Sequence, residues 1–312
     1  MKKAKHPLSK KNRRDITFYV IFIALPVLQF CIFYIFVNFR SFLYAFQSYQ
    51  GAEGVFVGFQ NFIDLFNEIK ETPIFFGNML RNSLIALACE LFIGMPLGLI
   101  FSYYIYKKRL LSGLFRSILF LPTIISAAAL AILFKYFMDR FLPEFIRLVS
   151  GNDFSAAFLT DEQYQFGSII FYAIFIGFGT SSILYTNAMS NVPISIIEAA
   201  QIDGANPFVE FIKIILPMIF PTVSVFIITK VAALFSNQMQ QFPLFGTQNL
   251  LAPNNYVFGF WLYKSTILAS ASSHFLNDLP RLATFGLIFS IISIPITFLI
   301  RFGLNRIEKR FR

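Results

Sequence analysis

Twenty-two consecutive residues, Ile16–Val37, carry no charge, and five further runs of similar character follow. These are roughly Ser83–Tyr106, Ser117–Phe137, Phe166–Ala188, Ile214–Phe235 and Leu282–Ile300, each with at most one ionisable side chain. A helix needs about 20 apolar residues to cross ~30 Å of hydrocarbon, so every run is long enough, the last only if it stands nearly upright. The pattern predicts an all-α polytopic bundle of six transmembrane helices. Composition agrees: 56% of residues are hydrophobic, 13% are charged and 43 are phenylalanine. A soluble fold of 312 residues could not hide that much apolar surface.

The leader "MKKAKHPLSKKNRRD" ahead of Ile16 has the order of a signal peptide, but the run behind it is too long for a cleaved apolar region. It is read as a retained anchor. The net charge of +10 sits at the ends of apolar runs rather than in one patch among aromatics, which points to the membrane surface and away from nucleic acid. Cys31 and Cys89 lie inside apolar runs and imply no disulfide framework.

Lysine and arginine set the orientation. With the N-terminus inside, the inner segments hold Lys2, Lys3, Lys5, Lys10, Lys11, Arg13 and Arg14, then Lys107, Lys108, Arg109 and Arg116, then Lys213, and last Arg301, Arg306, Lys309, Arg310 and Arg312. The outer segments hold only Arg40, Lys70, Arg81, Arg140, Arg147, Lys264 and Arg281. The predicted layout is a basic cytoplasmic tail over 1–15, one membrane domain over 16–300 and a second basic cytoplasmic tail over 301–312. Asn38–Asn82 and Ser236–Arg281 read as outer loops. In the first, Phe59, Phe62, Ile63 and Phe66 recur at helical spacing, as in a helix lying on the outer surface. In the second, Asn254–Ser272 is apolar but divided by Lys264, and reads as re-entrant or interfacial with Tyr256, Trp261 and Tyr263 at headgroup level.

The inner segment between the fourth and fifth runs breaks this apolar monotony with "EAAQIDGANPFVEFIKIILP", Glu198–Pro217. Pro193 offers a first-turn residue, Glu198–Gln201 are good helix formers and Gly204 is a C-terminal stop. Asn206 can then cap a second helix that begins at Pro207. Ile194 and Ile197, and then Phe208, Phe211 and Ile212, give each short helix an apolar stripe for the membrane surface. The segment, about 190–217, thus encodes helix, tight turn, helix.

Its residues also carry a resemblance. Glu198, Ala199, Ala200, Gly204, Ile214, Leu216 and Pro217 match, at every spacing, the E-A-A, three residues, G, nine residues, I, one residue, L-P signature of ABC importer permeases. Asp203 ahead of the glycine, and "VGFQNFIDLF" after the first run, resemble the maltose-type carbohydrate subgroup, and the similarity runs from about Ile16 to the C-terminus. The resemblance implies a transmembrane subunit of an ATP-driven uptake system in the cell membrane, with both termini cytoplasmic. The first helix of the loop would dock into a dimer of separate cytoplasmic ATPases, Glu198 supplying a carboxylate, Ala199 and Ala200 close packing and Gly204 the turn. An extracellular solute-binding protein would deliver a sugar or oligosaccharide, and a second, related permease subunit would complete the core.

Motifs for independent chemistry are missing from the sequence. No Gly-Lys dipeptide exists from which to build a phosphate-cradling Walker loop, so ATP would be hydrolysed by the partner and no cofactor held directly. Neither H-E-x-x-H nor G-x-S-x-G occurs, and the histidines, His6 and His274, lie outside the runs, which argues against a metal site or an embedded hydrolase. Ionisable residues in a span cost about 2.5–3.5 kcal/mol at mid-membrane, so they face a cavity or a partner. Glu90 and Lys230 are candidates for the substrate path, while Lys135 reads as snorkelling to the outer interface. Asn237, Gln238, Gln240 and Gln241 offer neutral donors and acceptors suited to sugar hydroxyls, with Phe235 and Phe242 as stacking faces. A permease for a non-sugar solute and an ATP-independent channel or carrier are the alternatives.

Overall fold

The structure, a computed structural model, describes residues 10–50, 53–151, 156–248, 250–272 and 275–311. Most of the expected N-terminal tail, and both histidines, lie outside them. Two compact units divide these residues: a smaller one of 10–66 with 275–287, and a larger one of 67–272 with 288–311.

Helices dominate, as the apolar runs require. Those of spanning length and hydropathy are α1 (Thr17–Tyr44), α3 (Pro73–Tyr106), α6 (Glu162–Ser190), α8 (Pro207–Ala232) and α11 (Phe275–Arg310). Between them lie α2 (Gln60–Glu71), α4 (Ser112–Ile124), α5 (Ala127–Ser150), α7 (Ile194–Ile202), α9 (Gln241–Phe245) and α10 (Phe258–Ser270). The helix continues well past Ile300, so the residues expected as a C-terminal tail extend α11 through Arg310.

The third expected span is not one helix. It appears as α4 and α5, bent by 106° at Ile125–Ser126, where both residues are extended (ψ 142° and 133°). Pro122 explains the weakness of the helix there: it has no N–H to donate and its ring crowds the carbonyl one turn back.

The smaller unit contains a short antiparallel hairpin, β1 (Gln47–Gln50) with β2 (Glu53–Phe56), where the sequence suggested only loop. Asn61 Nδ2 pins it from α2, donating to Ala45 O (2.9 Å) and Gln47 O (2.8 Å). Of the predicted stripe, Phe59 just ahead of α2 and Ile63 and Phe66 on it are exposed, while Phe62 is half-buried against Phe46, and Leu65 is buried.

In the larger unit the helices meet through small residues and shared hydroxyls, as expected where lipid tails remove any hydrophobic drive between helices. A Cβ at Gly179 of α6 would collide with the Leu119 carbonyl of α4, and one at Gly98 of α3 would press on Tyr185 of α6 at 3.3 Å. Buried Ser102 shares its hydrogen between Gly98 O and Ser182 O (2.9 Å), and Thr186 Oγ1 donates to Ser182 O (2.7 Å). The core beside this seam joins Met95 and Leu99 of α3, Tyr185 and Met189 of α6, Ile197 of α7, and Phe211, Ile215 and Ile219 of α8.

Of the aromatics expected at headgroup level, Tyr256 and Trp261 are buried in the larger unit and Tyr263 is exposed. With 13 residues, α10 is too short to span, and Phe260 and Trp261 are buried, Trp261 against Phe76 (6.0 Å between rings). Gly259 makes the approach possible, since a Cβ there would strike the Ser236–Asn237 backbone.

Candidate functional site

Two polar constructions interrupt the apolar bundle: the elbow at α7–α8, and a charged pair within the spans.

The elbow follows from its local sequence. Pro193, extended at ψ 127°, precedes the first helical residue rather than occupying it. At the far end Gly204 takes φ +80°, a left-handed conformation open to glycine. Ala205 N donates to Ala200 O (2.9 Å) and Gly204 N to Gln201 O (3.1 Å), the bond pair of a Schellman stop. Asn206 Oδ1 then accepts from Val209 N (2.8 Å), and Pro207 opens α8. Two helices are therefore joined with almost no slack.

Only part of each expected apolar stripe is buried. Ile197 and Ala200 of α7, with Phe211 of α8, face inward, while Ile194, Phe208 and Ile212 are exposed. The elbow stands on the bundle core through Ile197. Nine residues of α7 can turn only a few side chains towards that core. Its outer face carries Glu198 and Ala199, with Ile202 87% exposed, and Asp203 and Gly204 in the turn that follows are exposed too. Ile214, Leu216 and Pro217 are half-buried, and the fully buried position is Ile215.

The acid that sequence reasoning passed over is Glu210, which is only 2% exposed. Lys107 Nζ from the end of α3 donates to both its oxygens (2.8 and 3.0 Å), and Gln201 Nε2 donates to Oε2 (3.2 Å). The Tyr103 hydroxyl lies between Glu210 Oε1 (3.2 Å) and Pro207 O (3.0 Å). The only hint in the sequence was the basic "KKR" at 107–109, a hundred residues upstream and equally compatible with solvent.

Inside the spans, Glu90 of α3 and Lys230 of α8 come together at 2.9 Å, and Asn237 Nδ2 approaches the other carboxylate oxygen at 3.4 Å. Glu90 begins a π-helical turn, Glu90–Gly94, a local widening common at functional sites. A small cleft opens beside the pair, lined by Gly94, Ile174, Ser181 and Tyr185. The buried Tyr185 hydroxyl has no hydrogen-bond partner among the described residues.

The other path candidates separate. Gln238 and Gln240 are half-buried. Gln241 is fully buried and its amide is occupied, donating to Asn255 O (2.8 Å) and accepting from Val257 N (3.3 Å). Phe235 is not an open stacking face either: it is buried against Phe289 (4.8 Å, nearly parallel) and Phe258. Phe242 packs edge-on against Tyr263 (4.8 Å). Lys135 Nζ sits 5.8 Å over the Phe245 ring.

The profile of the family described as "Binding-protein-dependent transport system inner membrane component" matches residues 94–312, which include the whole elbow. The chain belongs to this family. Among relatives of this permease is the probable ABC transporter permease protein YurN of Bacillus subtilis, 28% identical over 213 residues, 66% of this chain and 70% of that one. Another is the lactose transport system permease protein LacF of Rhizobium radiobacter, 28% identical over 206 residues, 65% of this chain and 67% of that one. The fold matches a chain from a bacterial alginate ABC transporter solved with an alginate pentasaccharide-bound periplasmic protein. The TM-score is 0.76 at 20% identity, over 97% of this chain and 99% of that one. The permease is thus a multi-pass membrane subunit of an ABC import system and not an enzyme.

Proposed function

We propose that this permease carries a sugar or oligosaccharide across the cytoplasmic membrane, driven by a separate pair of ATPases that grip the elbow at about 190–217. One observation carries the reading. Glu198 and Ala199 of α7, and Asp203 and Gly204 in the turn that follows it, are displayed outward, while Ile197 and Ala200 root the same helix in the bundle. A helix exposed on one side and stiffly tied on the other suits a docking handle. Exposed Ile194, Ile202 and Phe208 add an apolar rim of the kind that a protein partner covers.

On this reading the termini lie in the cytoplasm, consistent with the bias of lysine and arginine. The segment 16–300 acts as one permease domain between the flanking tails, and ATP is held by the partner. A solute-binding protein delivers the sugar outside, and a second, related permease subunit faces this one. The names of the lactose permease and the alginate importer support a carbohydrate cargo. Glu90, Lys230 and Asn237 flank the path, Gln238 and Gln240 follow them in the chain, and Gln241 serves the framework. A paired carboxylate and ammonium with an adjacent amide can exchange hydrogen bonds with hydroxyls while leaving no charge bare.

The test is a deletion strain complemented with wild-type or Glu198→Lys permease, following labelled oligosaccharide and amino-acid uptake. Crosslinking from position 198 runs in parallel. Sugar uptake that depends on Glu198, and a crosslink to a nucleotide-hydrolysing subunit, are expected. Collapse of amino-acid uptake with sugar uptake intact would overturn the cargo, and absence of any ATPase crosslink would overturn the coupling.

A further inference from the structure

The buried carboxylate of Glu210 has no place in the docking reading, because it faces inward, away from the exposed face of α7. Yet it touches all three elements meeting at the elbow. Its oxygens take Gln201 from the last turn of α7 and Tyr103 and Lys107 from the end of α3, while its backbone belongs to the first turn of α8. Tyr103 adds a second link, since its hydroxyl also reaches Pro207 O and its ring packs on Phe211 at 5.0 Å. Directly beyond Glu210 the backbone widens into a π-helical turn, Phe211–Ile215, with Phe211 and Ile215 held in the core.

We propose that Glu210 is a positioning residue for energy coupling: it fastens the elbow to α3, so that a pull on α7 moves α3 and α8 together. The inference rests on the proposed docking of α7 to an ATPase. The chain connects α7 directly to α8, but Lys107 at the end of α3 is 103 residues from Glu210 in sequence. The polar part of the lateral connection at this end is made by Lys107, Tyr103 and the Glu210 carboxylate, beside the apolar packing of Ile197, Phe211 and Ile215. A near-buried ion pair suits the task because its strength is directional and is little screened. Breaking one partner strands a charge, so the arrangement resists intermediate geometries and favours motion as a block. Because α3 also carries Glu90, the strut would link the nucleotide-driven stroke to the Glu90–Lys230 pair along a single helix.

The test uses the complete transporter in proteoliposomes with its ATPase and binding protein, measuring sugar moved per ATP hydrolysed. Glu210→Gln and Lys107→Met are each expected to lower this ratio about tenfold, equivalent to ~1.4 kcal/mol of lost linkage, while ATPase still co-purifies. The swapped pair Lys107→Glu with Glu210→Lys should restore most of the ratio, which a merely space-filling role would not do. Unchanged sugar per ATP in both single variants, or a lowered yield of complex with an unchanged ratio, would overturn the inference. Where a single variant fails to assemble, the swapped pair decides: an assembled swap with a tenfold-low ratio also overturns it. Glu198→Lys separates the two levels. If it abolishes ATPase association while the Glu210 variants transport normally, the docking reading stands and this one falls; if it has no effect, the docking reading itself fails.

Discussion

Gly204 offers the sharpest trial of the elbow, because its surroundings isolate one physical variable. Its φ is +80°, and a Cβ built there meets nothing within 4 Å. Substitution therefore incurs backbone strain without a steric clash. An ordinary L-residue in the left-handed region costs about 1–2 kcal/mol, so Gly204→Ala should lower the ratio of bent to unbent elbow about five- to thirty-fold. Asn visits the same region more readily, and Gly204→Asn should lose much less. Gly204→Pro is different in kind. Its ring fixes φ near −65°, and it deletes the N–H that donates to Gln201 O at 3.1 Å. The neighbouring bond from Ala205 N to Ala200 O is then misaligned as well, so about 1 kcal/mol for each lost bond adds to the change of conformation. The expected order of transport per binding-protein-stimulated ATP hydrolysis is Gly, then Asn, then Ala, with Pro near zero. Membrane insertion, checked by protease protection, should stay the same throughout. Equal behaviour of alanine and proline, or normal transport by the proline variant, would refute the stiff elbow.

Four further perturbations probe the supports. Asn206→Ala removes the cap on Val209 N and should weaken the start of α8 by about 1 kcal/mol, read as faster hydrogen exchange at Val209 and Glu210. Gly259→Ala forces a Cβ into the Ser236–Asn237 backbone and should destabilise by about 1–3 kcal/mol on thermal unfolding in detergent. Gly177→Ala, where the space is open, should be neutral or stabilising by about 0.4–1 kcal/mol. Lys230→Met leaves the Glu90 carboxylate unpaired. The loss should reach about 2 kcal/mol, below the 3–5 kcal/mol of a sealed pair because both side chains keep some exposure, and Glu90→Gln in the same protein should recover most of it.

Features specified within one turn or one helix were legible in the sequence. Spanning length, the glycine stop at 204, the asparagine cap at 206 and the spacing of the elbow motif depend on neighbours a few residues apart, and the structure reproduces their local geometry. Features that depend on distant partners were not. Nothing near Glu210 announces that Lys107 will neutralise it, and a carboxylate in a polar loop reads as solvated. Gln241 and Phe235 read as sugar contacts because their partners, Asn255 and Phe289, come from later in the chain. The bend at Ile125–Ser126 had a visible cause in Pro122, but apolar composition cannot distinguish one straight crossing from two angled pieces. The hairpin at 47–56 was hidden for a similar reason: four-residue strands carry too little periodicity to stand out from loop.

The seam between α3 and α6 reverses the usual rule for which residues a protein can afford to change. Here the atoms that matter most are the missing ones: a methyl at Gly98 would press on Tyr185 across the seam, and one at Gly179, on the neighbouring face of α6, would collide with the Leu119 carbonyl of α4. Large outward side chains such as Phe22, Phe92 and Phe298 should trade freely with leucine or isoleucine. Engineering this molecule for robustness by filling its interior with bigger hydrophobic groups, the standard recipe for a water-soluble domain, would therefore weaken it.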